Sequence, residues 1–211
     1  MSVLRKKYQL PTIAQLTHIN IDLPRLQAEC DKFASKFTDV ISANPALCMN
    51  HAELVKNVYD NFEQINLTEL NGELMEYTDN IKERIRRKEE TLYNKETEDY
   101  KTSYFKEIVD QFKASAMRIR ITKLAAGKEI PYHIDYDPSY ATRIIIPIYT
   151  TSDVENWFVV KNEEVNHHLE AGKAYFLNTG FKHAVYNKGS EPRIALMFSL
   201  DGQDDLENIS N

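Results

Sequence analysis

Four residues in the C-terminal half of the chain have the types and the spacing of a metal-dependent oxidation site. His133 and Asp135 stand two positions apart in PYHIDYD, and His183 follows fifty positions later in GFKHAVYN. Two imidazoles and one carboxylate on one face of a metal leave the opposite face open, which suits non-haem Fe(II) and its oxygen chemistry. Arg193, ten positions after His183, adds a guanidinium suited to gripping a dicarboxylate co-substrate.

The combination of these residues is more informative than any one of them. A single histidine in a strand is usually a surface or core residue, and Asp135 alone is typical of the turn-rich run DYDPS. A His-x-Asp pair, a histidine after a glycine in a later strand, and an arginine in the last strand together favour a metal site.

The elements that must position these residues are strands. After Lys113 the apolar residues change from helical spacing to a period of two, and one face of AMRIRITKL carries Arg118, Arg120 and Thr122. Six further strand-like runs follow between turn signals: ATRIIIPIYT, NWFVVKN, EVNHHLE, KAYFLNT, HAVYN and RIALMFSL. Many short strands at near-even spacing predict a sandwich or barrel, and a jelly roll satisfies the count.

Residues 1–24 look extended or irregular, because Pro11 and Pro24 break any long helix, and the rest of the N-terminal half has mainly helical spacing. Asp22 resembles a helix start, and we expect that helix to run to about Val40. A second short helix is predicted within 51–70. Residues 73–101 are dense in alternating charge, which indicates a solvated helix, with a mobile cover over a substrate as the alternative. The run 104–112 places its apolar residues on one helical face and predicts a helix packed beneath the sheet.

These patterns together predict an α+β fold, with a cupin-like jelly-roll core and N-terminal helices packed on it. Residues 1–113 are expected to form a mainly helical N-terminal region and cover, and residues 114–200 the core. Residues 201–211 are acidic and polar, which is typical of a flexible tail. We expect the three parts to form one globular unit.

Composition narrows the possible partners. The chain of 211 residues has a formal net charge of -6 and a sequence pI of about 5.6, which argues against a nucleic-acid backbone as a partner. Cys30 and Cys48 have no metal or redox spacing, which points to a reducing compartment. No run approaches the roughly 20 apolar residues of a membrane helix. We expect a cytoplasmic protein with neither nucleic-acid nor membrane partners.

Further residues are candidates for contact with a substrate. If the polar face of the first core strand points into the barrel, Arg118 or Arg120 would bind a substrate carboxylate; the alternative is that this face meets solvent. Tyr132, Tyr136 and Trp157 are further pocket candidates, although aromatic residues near a barrel mouth more often serve packing.

From MRIRITKLAAGKEIPYHIDYD to RIALMFSL, the chain resembles the aspartyl/asparaginyl β-hydroxylase family of Fe(II)- and 2-oxoglutarate-dependent oxygenases. That group also resembles certain free-proline hydroxylases. The matching pattern has a glycine six positions before the first ligand, here Gly127, and an arginine opening a hydrophobic strand, here Arg143 in TRIIIPI. GKAYFLNTGFKHAVYN resembles the family's glycine–strand–histidine segment. The resemblance covers roughly residues 104–200, about half of the chain.

The resemblance implies a double-stranded β-helix in which His133, Asp135 and His183 bind the iron. Some animal members replace the acidic ligand with glycine and carry a histidine two positions after the strand arginine. Here Asp135 is present and Ile145 occupies that second position, so the chain resembles the branch with the full triad. Asp135 also argues against a halogenase, in which a small residue frees a coordination site for halide.

The resemblance also assigns residues to the co-substrate. Arg193 matches the arginine that pairs with the distal carboxylate of 2-oxoglutarate. Thr122 falls where the family often has a hydroxyl supporting that carboxylate, and Arg143 falls where an arginine contacts co-substrate or substrate.

The resulting hypothesis is a dioxygenase that uses Fe(II), 2-oxoglutarate and O2. It would hydroxylate a C–H bond of an amino acid, free or in a peptide, and release succinate and carbon dioxide. Two alternatives stay open: a cupin-type metal enzyme that does not use 2-oxoglutarate, and a jelly-roll binding module without turnover.

Overall fold

Two antiparallel sheets face each other across the ligand-bearing half of the chain. They are seen in a computed structural model that describes residues 4–43, 62–72, 80–86, 89–207 and 209. A cluster of buried apolar side chains from both sheets fills part of the space between them.

Strands dominate the second half of the described chain, and short helices lie in the first. The strands are β1 (Ile13–Gln15), β2 (Thr38–Asp39), β3 (Phe62–Asn66), β4 (Thr68–Glu69), β5 (Lys95–Glu96), β6 (Ser115–Leu124), β7 (Glu129–His133), β8 (Thr142–Tyr149), β9 (Val154–Val160), β10 (Glu163–His167), β11 (Tyr175–Leu177), β12 (Lys182–Asn187) and β13 (Arg193–Asp201). The α-helices are α1 (Leu23–Lys32), α2 (Val40–Ala43), α3 (Ile81–Arg86), α4 (Glu98–Lys101) and α5 (Tyr104–Val109). Short 3-10 turns span Lys7–Gln9, Ala34–Lys36, Glu89–Leu92 and Asp204–Leu206.

The strand order is that of a double-stranded β-helix. The large sheet has the order β1-β11-β8-β13-β6-β3-β2, and the small sheet has the order β10-β9-β12-β7. Strands β4 and β5 pair separately. From β6 to β13 the chain passes from one sheet to the other at every connection except the β9–β10 hairpin. The predicted α+β fold with a jelly-roll core is therefore confirmed.

Strand β8 shows how the two faces of the large sheet differ. Alternate side chains of a strand point to opposite sides. Ile144, Ile146 and Ile148 are buried in the core that the sheet shares with the helices. Each fully buried isoleucine stabilises the fold by about 1.5–3 kcal/mol. Arg143 and Ile145 point the other way and line the space between the sheets.

Helix α1 begins where the sequence predicts. The carboxylate of Asp22 caps it by accepting a hydrogen bond of 3.1 Å from the backbone N–H of Arg25. The helix ends at Lys32 and not near Val40, because the chain turns at Ala34–Lys36 and then enters β2, which pairs with β3.

Helix α5 confirms the helix predicted for residues 104–112 as far as Val109, where it ends. The hydroxyl of Ser103 caps it, and the side chains of Phe105 and Ile108 are fully buried beneath the large sheet. The aromatic ring of Phe105 packs edge-on against Phe33 from the end of α1.

The N-terminal region also contributes strands that helical spacing did not anticipate. β1 extends the large sheet beside β11, and β3 pairs with β6 on the other side. The helix predicted within 51–70 is thus wrong over Phe62–Asn66, whereas residues 51–61 lie outside the described residues. Strand β3 supplies hydrogen-bond partners for the backbone N–H and C=O groups along one edge of β6. This pairing overrides the helical spacing of the sequence in Phe62–Asn66.

Two further sequence expectations are corrected. The charged stretch 73–101 is broken, over the residues described there, into α3, a 3-10 turn, β5 and α4; residues 73–79 and 87–88 lie outside the described part. The described part of the tail packs onto the rest of the fold: Leu206 is fully buried, and the carboxylate of Asp205 accepts hydrogen bonds from the backbone N–H groups of Lys113 and Ala114. Every helix among the described residues is too short or too polar to cross a bilayer.

Candidate active site

Three side chains of metal-binding type converge beside strands β7 and β12. The candidate ligand atoms of His133, Asp135 and His183 all lie within 4.8 Å of one another. The ring centroids of the two histidines are 4.2 Å apart, and Nε2 of His133 lies 4.0 Å from Oδ1 of Asp135. Two imidazoles and a carboxylate at this spacing are able to hold one divalent ion.

Strand pairing brings the two histidines together across fifty positions of sequence. His133 on β7 lies directly opposite His183 on β12. Asp135 follows the end of β7, and its backbone N–H donates to the carbonyl of Thr179 at 3.0 Å. The carboxylate therefore reaches the cluster from a loop tied to the start of β12, rather than from within a strand.

Backbone carbonyls fix the orientation of both imidazoles. Nδ1 of His133 lies 2.8 Å from the carbonyl of Pro131, and Nδ1 of His183 lies 2.9 Å from the carbonyl of Phe181. A carbonyl can only accept, so each Nδ1 carries the hydrogen and each Nε2 keeps its lone pair, as metal-binding histidines require.

The charge states of the cluster also suit a metal. Burial, and after it the neighbouring His133, lower the pKa of His183 to about 4, so this imidazole is neutral at physiological pH. Burial would raise the pKa of Asp135, but His133, Arg143 and His183 outweigh it, and the pKa lies below its ordinary value. The cluster thus offers a neutral imidazole at His183 and an ionised carboxylate at Asp135.

The triad faces a cavity of about 210 Å³ between the two sheets. One end of this cavity is apolar and is lined by Val40, Phe62, Ile130 and Val185. The other end is charged and is lined by Glu90, Arg118, Arg120 and Arg143.

Arg193 lies at the apolar end. It pairs across the sheet with Leu124, which packs against the apolar lining. Its side chain is 2% exposed, and its Nη1 has no hydrogen-bond partner among the described residues. Burial lowers the pKa of Arg193 to about 10, so the guanidinium remains a cation at neutral pH. A buried cation without a partner is costly, and a bound anion would relieve that cost.

Glu90 is the main site residue that the sequence interpretation missed. It lies in the charged stretch predicted as a solvated helix, yet it is fully buried. Its carboxylate pairs with Arg118 and accepts a hydrogen bond of 2.9 Å from the hydroxyl of Ser199. Nothing in the run RRKEETLYN distinguishes Glu90 from the other charged residues around it, so no local signal would have found it.

The polar face of β6 points into the cavity. Arg118 and Arg120 both line its charged end, so the interpretation that this face meets solvent is wrong. Nη2 of Arg143 lies 3.8 Å from Oε2 of Glu90 and 3.9 Å from Oδ2 of Asp135. Arg143 therefore lies between the buried carboxylate and the candidate metal ligand.

The remaining candidates fall in different places. Tyr136 lines the cavity. Thr122 is fully buried and its hydroxyl donates to the carbonyl of Ala195 at 3.3 Å, so its support of a co-substrate stays a prediction.

Two aromatic candidates, Tyr132 and Trp157, do not line the cavity. They lie in a shallow surface cleft, where Tyr132 is hydrogen-bonded to Glu164 and Trp157 to Glu155. Tyr132 directly precedes His133, and Trp157 directly precedes Phe158, and both of these neighbours point inwards. Because successive residues of a strand face opposite sides, Tyr132 and Trp157 point outwards.

Replacing Glu90 tests how much the buried carboxylate contributes to stability. Burial would raise its pKa, but Arg118, Arg143 and Arg120 outweigh burial and hold the pKa at about 2. We expect Glu90→Gln to lower the free energy of unfolding at pH 7 by about 3 kcal/mol. The pKa of Glu90 in the folded protein lies below its ordinary value of 4.5. The difference in stability between wild type and Glu90→Gln should therefore have its full size above pH 4.5 and should shrink as the pH falls towards 2.

Urea unfolding at several pH values measures this difference. Glu207→Gln is the matched control, because Glu207 pairs with Lys113 on the surface and its replacement should cost well under about 1 kcal/mol. A difference between wild type and Glu90→Gln that stays constant from pH 7 to pH 3 would contradict the ionised, paired state.

Comparisons with known proteins were made for the sequence and the fold. A model of the aspartyl/asparaginyl β-hydroxylase family matches residues 64–201. A search among curated proteins found no match. Among solved structures, a prolyl-4-hydroxylase from Pseudomonas putida is similar with a TM-score of 0.51 and 10% identity, over 90% of this chain and 92% of that chain.

Two other solved structures show weaker similarity. An oxidoreductase of the 2OG-Fe(II) oxygenase family from Burkholderia pseudomallei has a TM-score of 0.41 and 11% identity, over 84% of this chain and 89% of that chain. A cupin domain from Bordetella pertussis has a TM-score of 0.34 and 15% identity, over 44% of this chain and 88% of that chain. At such low identities, the similarity to the Pseudomonas enzyme concerns the fold.

Proposed function

The chain belongs to the aspartyl/asparaginyl β-hydroxylase family, and from this premise we propose that it is an Fe(II)- and 2-oxoglutarate-dependent dioxygenase. It hydroxylates a C–H bond of an amino acid, free or within a peptide. The reaction takes one molecule each of substrate, 2-oxoglutarate and O2, and gives hydroxylated product, succinate and carbon dioxide.

The observation that carries this proposal is the position of Arg193. It is a buried cation, its Nη1 has no hydrogen-bond partner among the described residues, and it lines the same cavity as the triad. A metal enzyme that does not use 2-oxoglutarate would give this guanidinium no role. A dicarboxylate with one end at the metal and the other at Arg193 gives it one.

The residues present fit the metal and the co-substrate. Nε2 of His133, Nε2 of His183 and the carboxylate of Asp135 form the donor set that non-haem Fe(II) oxygenases use. The unpartnered Nη1 of Arg193 fits the distal carboxylate of 2-oxoglutarate. When bound, iron and 2-oxoglutarate would activate O2, which is the oxidant that converts the C–H bond to C–OH while 2-oxoglutarate is oxidised to succinate and carbon dioxide.

The chain itself supplies orientation and exclusion of water. The carbonyls of Pro131 and Phe181 hold the imidazoles in the metal-binding tautomer. Phe158 stacks against His183 with ring centroids 5.6 Å apart and closes that side of the cluster to water. Thr122 supports the distal carboxylate if its hydroxyl turns from the carbonyl of Ala195 towards the cavity.

An anaerobic spectrum tests the proposal directly. We expect purified protein with Fe(II) and 2-oxoglutarate to develop the weak visible charge-transfer band of the chelate, and His183→Ala to lack it. Iron-dependent succinate release, with amino acids and peptides as trial substrates, then measures turnover. Iron binding without the band would instead favour a cupin-type enzyme that does not use 2-oxoglutarate, and absence of iron binding would favour a binding module.

A further inference from the structure

Residues 5–12, which we call the strap, lie across two loops that lead to the candidate metal ligands. One is the β7–β8 loop (134–141), which carries Asp135. The other is the β11–β12 loop (178–181), which ends two positions before His183. The strap precedes the part of the chain that the family model matches, residues 64–201. Membership of the family therefore assigns the strap no role.

Lys7 of the strap contacts both loops at once. Its backbone N–H donates to Oδ2 of Asp137 at 3.3 Å, and its ammonium group donates to the carbonyl of Gly180 at 2.9 Å. The same ammonium group lies 5.5 Å from the ring centre of Phe181, where the face of an aromatic ring attracts a cation. One residue thus ties the two loops together.

Asn178 anchors the strap on the β11–β12 loop. The residue is fully buried, and its Nδ2 lies 2.9 Å, 3.3 Å and 3.1 Å from the carbonyl oxygens of Lys7, Leu10 and Pro11. Its backbone N–H donates to the carbonyl of Thr12 at 2.8 Å. Because Leu10 is the one buried residue of the strap, these hydrogen bonds contribute more than apolar burial to fixing its position.

The two loops are also bonded to each other and to the candidate ligands. The backbone N–H of Asp135 donates to the carbonyl of Thr179, and the hydroxyl of Thr179 donates to the carbonyl of Tyr136 at 3.2 Å. The carbonyl of Phe181 accepts the hydrogen bond that orients the ring of His183. A displacement of the β11–β12 loop would therefore move both Asp135 and His183.

The strap and the two loops approach most closely at Gly180. A Cβ atom added there would lie 3.2 Å from Cα of Asp137 and 3.2 Å from Cδ of Lys7, which is tighter than ordinary van der Waals contact. Gly180 is not among the residues with a positive φ, so its backbone would accept an alanine. The close packing alone requires the absence of a side chain.

We propose that the strap is a positioning element of the metal site, and that Lys7 sets the spacing between the two loops. This inference rests on the proposed function, because it takes Asp135 and His183 as metal ligands. A metal requires its ligand atoms at fixed separations, so a change in the spacing of the loops weakens metal binding. Because coupling between two sites is reciprocal, metal binding in turn stabilises the docked strap.

The Fe(II) affinity of full-length variants tests the inference, with the metal alone as the probe. Lys7→Met keeps the apolar stem of the side chain and removes the ammonium group, whereas Lys7→Arg restores a donor. Gly180→Ala forces Lys7 and the backbone of Asp137 apart. Lys6→Met is the matched control, because Lys6 is an exposed neighbour in the strap. Calorimetry under nitrogen gives the dissociation constants, and melting temperatures are measured without metal.

We expect Lys7→Met and Gly180→Ala to bind Fe(II) at least about 10-fold more weakly than wild type, the lower bound for losing a residue that supports metal ligands. Lys7→Arg and Lys6→Met should bind Fe(II) as wild type does. A lower melting temperature of Lys7→Met with unchanged iron affinity would show a role in stability alone and would overturn the inference. A Lys7→Arg variant as weak as Lys7→Met would also overturn it.

Hydrogen exchange in wild type tests the reciprocal effect. Saturation with Fe(II) should slow the exchange of the strap amides by at least about 10-fold, the same factor that docking of the strap contributes to iron affinity. Helix α1, which packs against α5 and β8, is the internal control and should exchange at an unchanged rate. Equal exchange of the strap with and without iron would refute the coupling.

The two proposals fail in different ways. If wild type binds iron but gives no charge-transfer band with 2-oxoglutarate, the proposed function fails, and the iron affinities still decide the role of Lys7. If the band is present in wild type and Lys7→Met binds iron as tightly as wild type, only the role of Lys7 fails. Absence of iron binding in wild type would overturn both.

Discussion

Asp135→Ala should weaken Fe(II) binding by more than about 100-fold, beyond the 10–100-fold usual for loss of a residue that only supports a ligand. The expectation follows from the geometry, because Asp135 supplies the only carboxylate in the described three-residue cluster. Without Asp135, two imidazoles remain as ligands. The positive charge of Arg143, whose Nη2 lies 3.9 Å from Oδ2 of Asp135, would also no longer be screened from the metal by this carboxylate. Succinate release should fall to background.

Calorimetry of Fe(II) binding under nitrogen measures this effect. Asp153→Ala is a suitable control, since Asp153 is exposed in the turn between β8 and β9 and should leave iron affinity unchanged. Melting temperatures of both variants check that the fold is intact. Unchanged iron affinity in Asp135→Ala would remove this residue from the ligand set.

Arg193→Met should leave metal binding nearly intact but raise the 2-oxoglutarate concentration for half-saturation by at least about 30-fold, the lower bound for losing one partner of a buried charge pair. Methionine retains much of the length and the apolar contacts of the side chain. Since Arg193 is buried with no anion beside it among the described residues, replacing its charge should not lower the melting temperature of the protein without ligands.

The combination of the two readouts separates a co-substrate role from a structural one. Titration of 2-oxoglutarate into the iron-loaded protein, followed by the charge-transfer band, gives the affinity. Arg25→Met, on the surface, is the matched control. An unaltered 2-oxoglutarate requirement would refute the assignment, and a large fall in melting temperature would indicate that Arg193 is needed for packing.

Much of the core was predictable because its signals are local. A period of two gives β6 and divides its side chains between two faces, and the strand-like runs between turn signals give the strands after it. His133 and His183 were placed by residue type and by a resemblance in motif, and the register of β7 against β12 then puts them opposite each other. The outward position of Tyr132 was also contained in the sequence, because it directly precedes a residue that faces inwards.

The rest of the site depends on contacts that local spacing does not encode. Glu90 stands among charged residues that suit a solvated helix, and only the folded chain places it against Arg118 and Ser199. The direction of the polar face of β6 was undecided for the same reason, since alternation gives two faces but does not say which one is covered. Similarly, Phe62–Asn66 becomes a strand because β6 offers it a partner.

Glu90 also has a consequence for the order in which the protein assembles. Translation produces Glu90 before any of the strands from β6 to β13, so the arginines that surround its carboxylate are synthesised after it. Among the residues that the structure describes in the cavity lining, a barrel that closed without Glu90 would leave Arg118, Arg120 and Arg143 with Asp135 as their one counter-charge. Closure of the barrel and docking of the Glu89–Leu92 turn are therefore linked steps.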